Sequence, residues 1–366
     1  MASSEIYAVI SSHGFGHAAR AAHVLALLQK EHPDVRLILN TSIPRKFFER
    51  ILNAPFEIRN SPMDFGVVQR DGINLELNET LKRLQDLKNN QKKIIEHELD
   101  FIQSRNLSFL FGDIPFLLPE IAGRAGIPSV LMGNFGWDFI YSFYGGDFIQ
   151  FAEWVSDCYS RTNLLLRLPF HEGMQAFPEK MDLNLTGGCP RFKPEQVLDM
   201  LGVSEKDGEF VLLTFGGMGL DKVPYRTAER FNGTGAKKIT FLVYEEMLPE
   251  FSDIKNIINI DGCRLNPVDV MQICSAVITK PGYGMLSEAL RVNCPVYALN
   301  RKNFSETPIL IDSIRKYFFH RILEDDDFFQ SDWSFLEEDM EAPYDSVPLA
   351  LNGNEEAVRK ISEYLK

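Results

Sequence analysis

Residues 6–30 read IYAVISSHGFGHAARAAHVLALLQK, and three kinds of local structure follow one another within them. Residues 6–11 are a short apolar run rich in β-formers, which reads as a strand. Gly14 and Gly16 then allow a tight turn, and from residue 18 to residue 30 apolar side chains recur at helical spacing. The order is strand, glycine loop, helix. Residues 35–40, 107–111 and 129–133 repeat the short apolar run, with helix-like stretches between them. Such alternation implies parallel strands joined by crossover helices, a doubly wound sheet. Residues 77–105 are long, charged and amphipathic, and fit a pair of helices or one extended helix outside that sheet.

The pattern restarts near Phe210. Residues 210–215 are apolar and end in Gly216-Gly217-Met218-Gly219, and further short strands are expected at 238–244, 257–260, 276–279 and 296–299. Between the two series, residues 185–193 (LTGGCPRFK) are dense in Gly and Pro, as a linker should be. The fold class is α/β, with two facing Rossmann-like doubly wound domains: residues 1–187, residues 188–350, and a helix over 351–366 that closes either one.

Composition fits this division. A chain of 366 residues exceeds what one core usually holds. With 45% hydrophobic and 24% charged residues and no run near the ~18 apolar residues a membrane helix needs, it reads as soluble, with no integral membrane segment. The N-terminal apolar run lacks a basic region ahead of it, so a cytoplasmic location is expected. Cys158, Cys189, Cys263, Cys274 and Cys294 are odd in number and not closely paired, which points to reduced, mostly buried thiols. A net charge of −13 argues against nucleic acid or an anionic membrane as partner, and the acidic stretches 324–327 and 337–339 read as solvated loops.

Doubly wound domains bind ligands at the carboxyl ends of their strands, so residues just after each strand carry the chemistry. After the first strand stand His13, Gly14, Phe15, Gly16 and His17, with Arg20 further on. The glycines permit close backbone approach, and an imidazole is suited to taking a proton from an acceptor hydroxyl near neutral pH. Equally, a histidine beside a helix start serves as a cap or a plain surface group. The segment Gly14–Ala19 also fits G-x-G-x-x-A, but the second strand ends Leu39-Asn40-Thr41 without the carboxylate a dinucleotide ribose needs. Asp113, after the run at 107–111, either orients a histidine or caps the helix beginning near Pro115. The aromatic stretch around Asn134, Trp137 and Asp138 either lines an acceptor pocket or packs a core.

In the second half, Gly216, Gly217, Met218 and Gly219 form a glycine loop suited to phosphate. Later comes Lys280-Pro281-Gly282-Tyr283-Gly284-Met285-Leu286-Ser287-Glu288, whose glycines precede a helix that would turn free N–H groups to a diphosphate, with Glu288 placed to accept from ribose hydroxyls.

HGFGHAAR, NFGWDFIY and KPGYGMLSEAL, in this order and divided between two halves, resemble the GT-B glycosyltransferases. They are similar to the bacterial N-acetylglucosaminyltransferase of peptidoglycan synthesis and, more closely, to the glycosyltransferase-like N-terminal region of L-arabinokinases. The resemblance implies a GT-B fold and transfer of a sugar from a nucleoside diphosphate donor, UDP or dTDP, to a small-molecule or lipid-like acceptor, with no metal or other cofactor. It implies His17 as candidate base; the residues themselves leave His13 as the alternative, with Asp113 as the candidate orienting carboxylate. It places the donor at Gly216–Gly219, Gly282, Gly284, Ser287, Glu288 and, in the stretch NFSETP, Glu306. No counterpart of the arabinokinase ATP-binding motif is present, so kinase activity is not expected. A nucleotide-sugar epimerase and a non-catalytic nucleotide or sugar sensor remain as alternatives.

Overall fold

A strand buried on both faces needs no alternation of polar and apolar residues, and the continuous apolar runs of this sequence become the central strands of two parallel sheets. The computed structural model describes residues 5–365 except 217–218, 221, 234–236, 245–250 and 346. The first sheet holds β1 (Glu5–Ile10), β2 (Arg36–Asn40), β3 (Phe56–Arg59), β4 (Leu107–Asp113), β5 (Ser129–Gly133), β6 (Leu164–Arg167) and β7 (Lys180–Asp182). Its order is β3-β2-β1-β4-β5-β6-β7, with every pairing parallel. The second sheet holds β8 (Glu209–Leu213), β9 (Ile239–Val243), β10 (Ile257–Asn259), β11 (Ala276–Thr279), β12 (Val296–Leu299) and β13 (His320–Leu323). These run in the order β10-β9-β8-β11-β12-β13, again all parallel.

Both sheets reverse their winding between two central strands, β1 and β4 in the first and β8 and β11 in the second. The connections leaving those strands diverge, and a crevice opens at their carboxyl ends. This places the ends of β1, β4, β8 and β11 where ligand chemistry can occur.

Several expectations are refined. The charged stretch is one helix, α3 (Leu77–Gln103), which follows α1 (Phe15–Glu31) and α2 (Arg45–Phe48). The strand read at 210–215 ends at Leu213, leaving Thr214 and Phe215 in the loop. The short β3, β7 and β13, with sequences FEIR, KMD and HRIL, lack the apolar run that identified their neighbours. Of the five thiols only Cys158 and Cys294 are buried, and Cys189 is exposed in the connecting segment. No helix among the described residues is long and apolar enough to cross a membrane.

The C-terminal helix α12 (Gly353–Ser362) returns to the first sheet and lies along α1, burying Ala357, Val358 and Ile361. Ser362 Oγ lies 2.8 Å from His32 Nε2, and Tyr364 packs on Phe109. The chain therefore passes between the sheets twice. The two passages are joined: Leu185 N–H donates to the Ala350 carbonyl (2.9 Å), and the Asn354 side chain both donates to and accepts from the Gly187 backbone (2.9 and 3.1 Å).

Gly353 makes this junction close, since a Cβ there would stand 2.1 Å from the Asn184 carbonyl oxygen. Gly353→Ala is expected to lower stability by about 1–3 kcal/mol through this overpacking, measured as a lower denaturant midpoint.

Candidate functional site

Two helices begin in the crevice without a side-chain cap on their first N–H groups among the described residues. At the start of α1, Gly14 takes φ 105°, a conformation costly for any other residue, and the helix has no side-chain cap. Across the crevice α9 (Tyr283–Arg291) starts after Gly282, also without a side-chain cap. The two starts nearly touch, for a Cβ on Gly284 would lie 3.7 Å from the Gly16 Cα. Each brings roughly half a positive charge to the same space, which favours an anion.

That space is a cleft of about 650 Å³ between the two sheets. His13, Phe15 and His17 line its first wall, Gly216, Gly219 and Lys280 its second, and Arg301, Phe304 and Glu306 its end. Gly14, Gly16, Gly282, Tyr283, Gly284, Met285 and Glu288 border it as well.

Behind the first wall lies a buried polar chain. Asp113, the last residue of β4, is fully buried. Its Oδ1 accepts from His17 Nδ1 and from Arg20 Nη2, both at 2.7 Å, and its Oδ2 accepts from Arg20 Nε at 2.7 Å. Arg20 Nη1 donates to Asn134 Oδ1 (2.6 Å), and Asn134 Nδ2 donates to Glu306 Oε1 (2.7 Å), which belongs to the second domain. Burial alone would push the Asp113 carboxyl up, but the Arg20 guanidinium and the His17 ring hold it below the usual carboxylate range. With the Nδ1 proton given to Asp113, His17 keeps Nε2 as an acceptor on the cleft side.

Three further groups of the cleft are shifted chiefly by burial. His13 is held well below the usual imidazole range by burial, with His17, Arg301 and Lys280 adding to the effect. It stacks on Phe304 (5.8 Å between centroids) and meets Trp137 edge-on. Glu288 is pushed up to about 7 by burial, although its carboxylate accepts from the Gly188 N–H. Lys280 is brought down to about 7 by burial and then by the nearby Arg301. Among the described residues no group of three or more His, Cys, Asp or Glu side chains is arranged to hold a metal ion.

Of the residues singled out from sequence, those after β1, β8 and β11 meet in this cleft, while Gly217 and Met218 lie outside the described residues. Five others, Ser287 after β11 among them, do not reach it. Asp113 neither lines the cleft nor caps a helix, because both its oxygens are taken by His17 and Arg20 and the next helix, α4, starts only at Leu118. Trp137 is fully buried with its Nε1–H given to Asp64, Asp138 tucks its Oδ1 inside, and Asn134 is the link between Arg20 and Glu306. Of the aromatic stretch, Phe135 borders the cleft, while Trp137 packs behind the wall. Ser287 is likewise buried, donating back to the Gly284 carbonyl. Sequence reading gave Arg20 no role and did not single out Arg301. The first was signalled by its i+3 spacing from His17 on one helix face, the second by its place just after β12.

No protein-family model matches the chain. L-arabinokinase of Arabidopsis thaliana is 29% identical over 315 residues, covering 84% of this chain; the chain spans 29% of that protein's length. A UDP-glucosyltransferase from Polygonum tinctorium superposes with a TM-score of 0.62 at 12% identity, over 99% of this chain and 93% of that one. Arabidopsis thaliana UGT89C1, complexed with UDP-L-rhamnose, gives 0.61 at 13% identity over 98% and 93%. The calicheamicin glycosyltransferase CalG4 gives 0.62 at 12% identity over 100% and 95%. The fold is therefore GT-B, as the sequence resemblance implied.

The Asp113–Arg20 pair has a stability signature. A carboxyl held low in the folded state contributes above the ordinary Asp value of about 3.9 and loses its contribution as pH falls through the folded value. Asp113→Asn should cost about 3–5 kcal/mol at pH 7, by leaving a buried guanidinium unpaired. The difference from wild type, followed by urea unfolding, should shrink as pH drops below about 4.

Proposed function

We propose that the chain is a glycosyltransferase that moves a sugar from a nucleoside diphosphate donor, UDP or dTDP, to a hydroxyl-bearing small-molecule or lipid-like acceptor. The observation that carries this reading is the opposition, across one cleft, of the uncapped start of α9 and the buried His17–Asp113 pair. The UDP-sugar complexes among the structural neighbours, such as that with UDP-L-rhamnose, agree with it.

In this scheme the diphosphate lies on the first turn of α9, with the backbone of Gly282, Tyr283, Gly284 and Met285 beneath it and Gly216 and Gly219 beside it. Glu288, one turn further, accepts from the ribose hydroxyls. The acceptor lies against Gly14, Phe15 and Gly16. Its hydroxyl gives its proton to His17 Nε2 as its oxygen attacks the sugar's anomeric carbon. The bond from that carbon to the diphosphate breaks, and the electron pair stays on the departing phosphate oxygen. Asp113 holds the imidazole in the tautomer this requires, and Glu306 faces the sugar. The helix dipole stabilises the leaving charge, so we propose that no metal is needed.

One observation favours a second reading. Arg20 Nη2 stands 3.0 Å from His17 Nδ1, so the positive charge His17 would gain forms beside an existing cation. A module that binds a nucleotide-sugar without transferring it would be indifferent to this.

Calorimetric titration with UDP, dTDP, GDP and ADP tests the donor site, and release of free nucleoside diphosphate in the presence of candidate acceptors tests the chemistry. His17→Ala should reduce turnover by about 10²–10⁴-fold while UDP affinity stays within about twofold of wild type. Binding without diphosphate release by the wild type, over a broad acceptor panel, would transfer the case to the sensing module.

A further inference from the structure

Arg301 stands just beyond β12 at the end of the cleft, only 6% exposed, and its Nε and Nη2 have no hydrogen-bond partner among the described residues. A guanidinium has five N–H donors and stays charged, so burying it unpaired is among the costlier arrangements a fold can hold. Carboxylates nearby do not answer it. Glu306 accepts from Asn134, and Asp71 is spent on the backbone N–H groups of Ile73 and Asn74 and on the Asn74 side chain. Their influence on Arg301 is through space.

The second cation of this corner is in the same position. Lys280, just after β11, makes one hydrogen bond among the described residues, to the Gly72 carbonyl at 3.2 Å, and feels Arg301 first, then Glu306 and Asp71, through space. Two like charges side by side repel unless something of opposite sign lies between them. Arg301 is also held in place: its guanidinium lies over the Phe304 ring at 4.6 Å, and that ring stacks in turn on His13. A planar fork fixed in this manner is prepared for two parallel bonds to one oxyanion.

We infer that Arg301 and Lys280 form an oxyanion subsite at the inner end of the cleft, taking either the distal phosphate of the donor or a carboxylate carried by its sugar. This rests on the donor reading proposed above and adds side chains that reading did not use. If the anion is the distal phosphate, Arg301 is catalytic. As the anomeric carbon leaves, the bridging oxygen keeps the bonding pair and the phosphate gains one negative charge, which the guanidinium meets without moving. If the anion is a carboxylate, the same pair selects uronate donors over neutral ones.

The test is calorimetric titration of the full chain with UDP, UMP, UDP-glucose, UDP-glucuronate and inorganic pyrophosphate, for wild type, Arg301→Met and Arg301→Lys. A loss of about 10- to 100-fold for UDP with UMP unchanged assigns the distal phosphate. A comparable loss confined to UDP-glucuronate assigns the sugar carboxylate, and in either case Arg301→Lys should recover part of it. Without ligand, Arg301→Met should melt at or above the wild-type temperature, because an unanswered buried charge has been removed. Equal affinities of wild type and Arg301→Met for every ligand would overturn the subsite and leave the donor reading intact. Pyrophosphate binding that depends on Arg301, in a protein that binds no nucleotide, would keep the subsite and remove the donor reading.

Discussion

The carboxylate of Asp113 sits where no water can solvate it, and much of the cleft's order follows from how its two oxygens are satisfied. They take one bond from His17 and two from Arg20, residues three apart on α1, so the carboxylate fixes the rotation of that helix about its axis. Rotation sets where the first turn points, and the first turn of α1 is one wall of the cleft. The same guanidinium reaches Asn134, and through it Glu306 in the other domain. A buried polar chain that is satisfied at every member specifies one arrangement, because displacing any member strands the next. The apolar interior shared by α1, α9 and α12 gives cohesion without that directional requirement.

The cleft is divided by kind of interaction. The wall on the side of the first sheet is the more finished: behind the uncapped start of α1, Asp113, Arg20 and Asn134 are paired with one another, and Trp137 is bound to Asp64 and stacked against Tyr141. The wall on the side of the second sheet is unfinished, with a helix lacking a side-chain cap, a half-committed lysine and an arginine whose Nε and Nη2 have no hydrogen-bond partner among the described residues. Stability alone would have closed these gaps with side chains, as Gln196 of α7 (Pro194–Leu201) and Asp269 of α8 (Pro267–Met271) do by accepting from the backbone N–H groups of Lys193 and Asn266. Leaving them open is what a surface made to be completed by a charged ligand looks like.

Much of this was legible in the sequence because parallel sheets write themselves plainly. The strands β1, β2, β4, β5, β8 and β11 carry continuous apolar runs, and glycines stand where α1 and α9 begin beside the cleft. What was not legible depended on partners far apart in the chain. Nothing within residues 134–141 says that Trp137 turns inward; that follows from the carboxylate of Asp64, more than seventy residues earlier. The short edge strands FEIR and KMD carry no period long enough to read, since their pairing comes from the neighbouring strand rather than from their own side chains. Arg301 was hidden for a different reason: an arginine after a strand is unremarkable until its burial and its lack of partners are known.

The chain's double passage between the domains has a mechanical consequence. Two polypeptide segments, bonded to one another through Leu185, Gly187, Ala350 and Asn354, behave less like a swivel than like a door hung on two leaves. Such a joint would leave about one axis free and resist torsion, so any opening of the cleft would keep the two halves in register and return Gly16 and Gly284 to their present apposition, with the accuracy of that return set at a distance from the cleft.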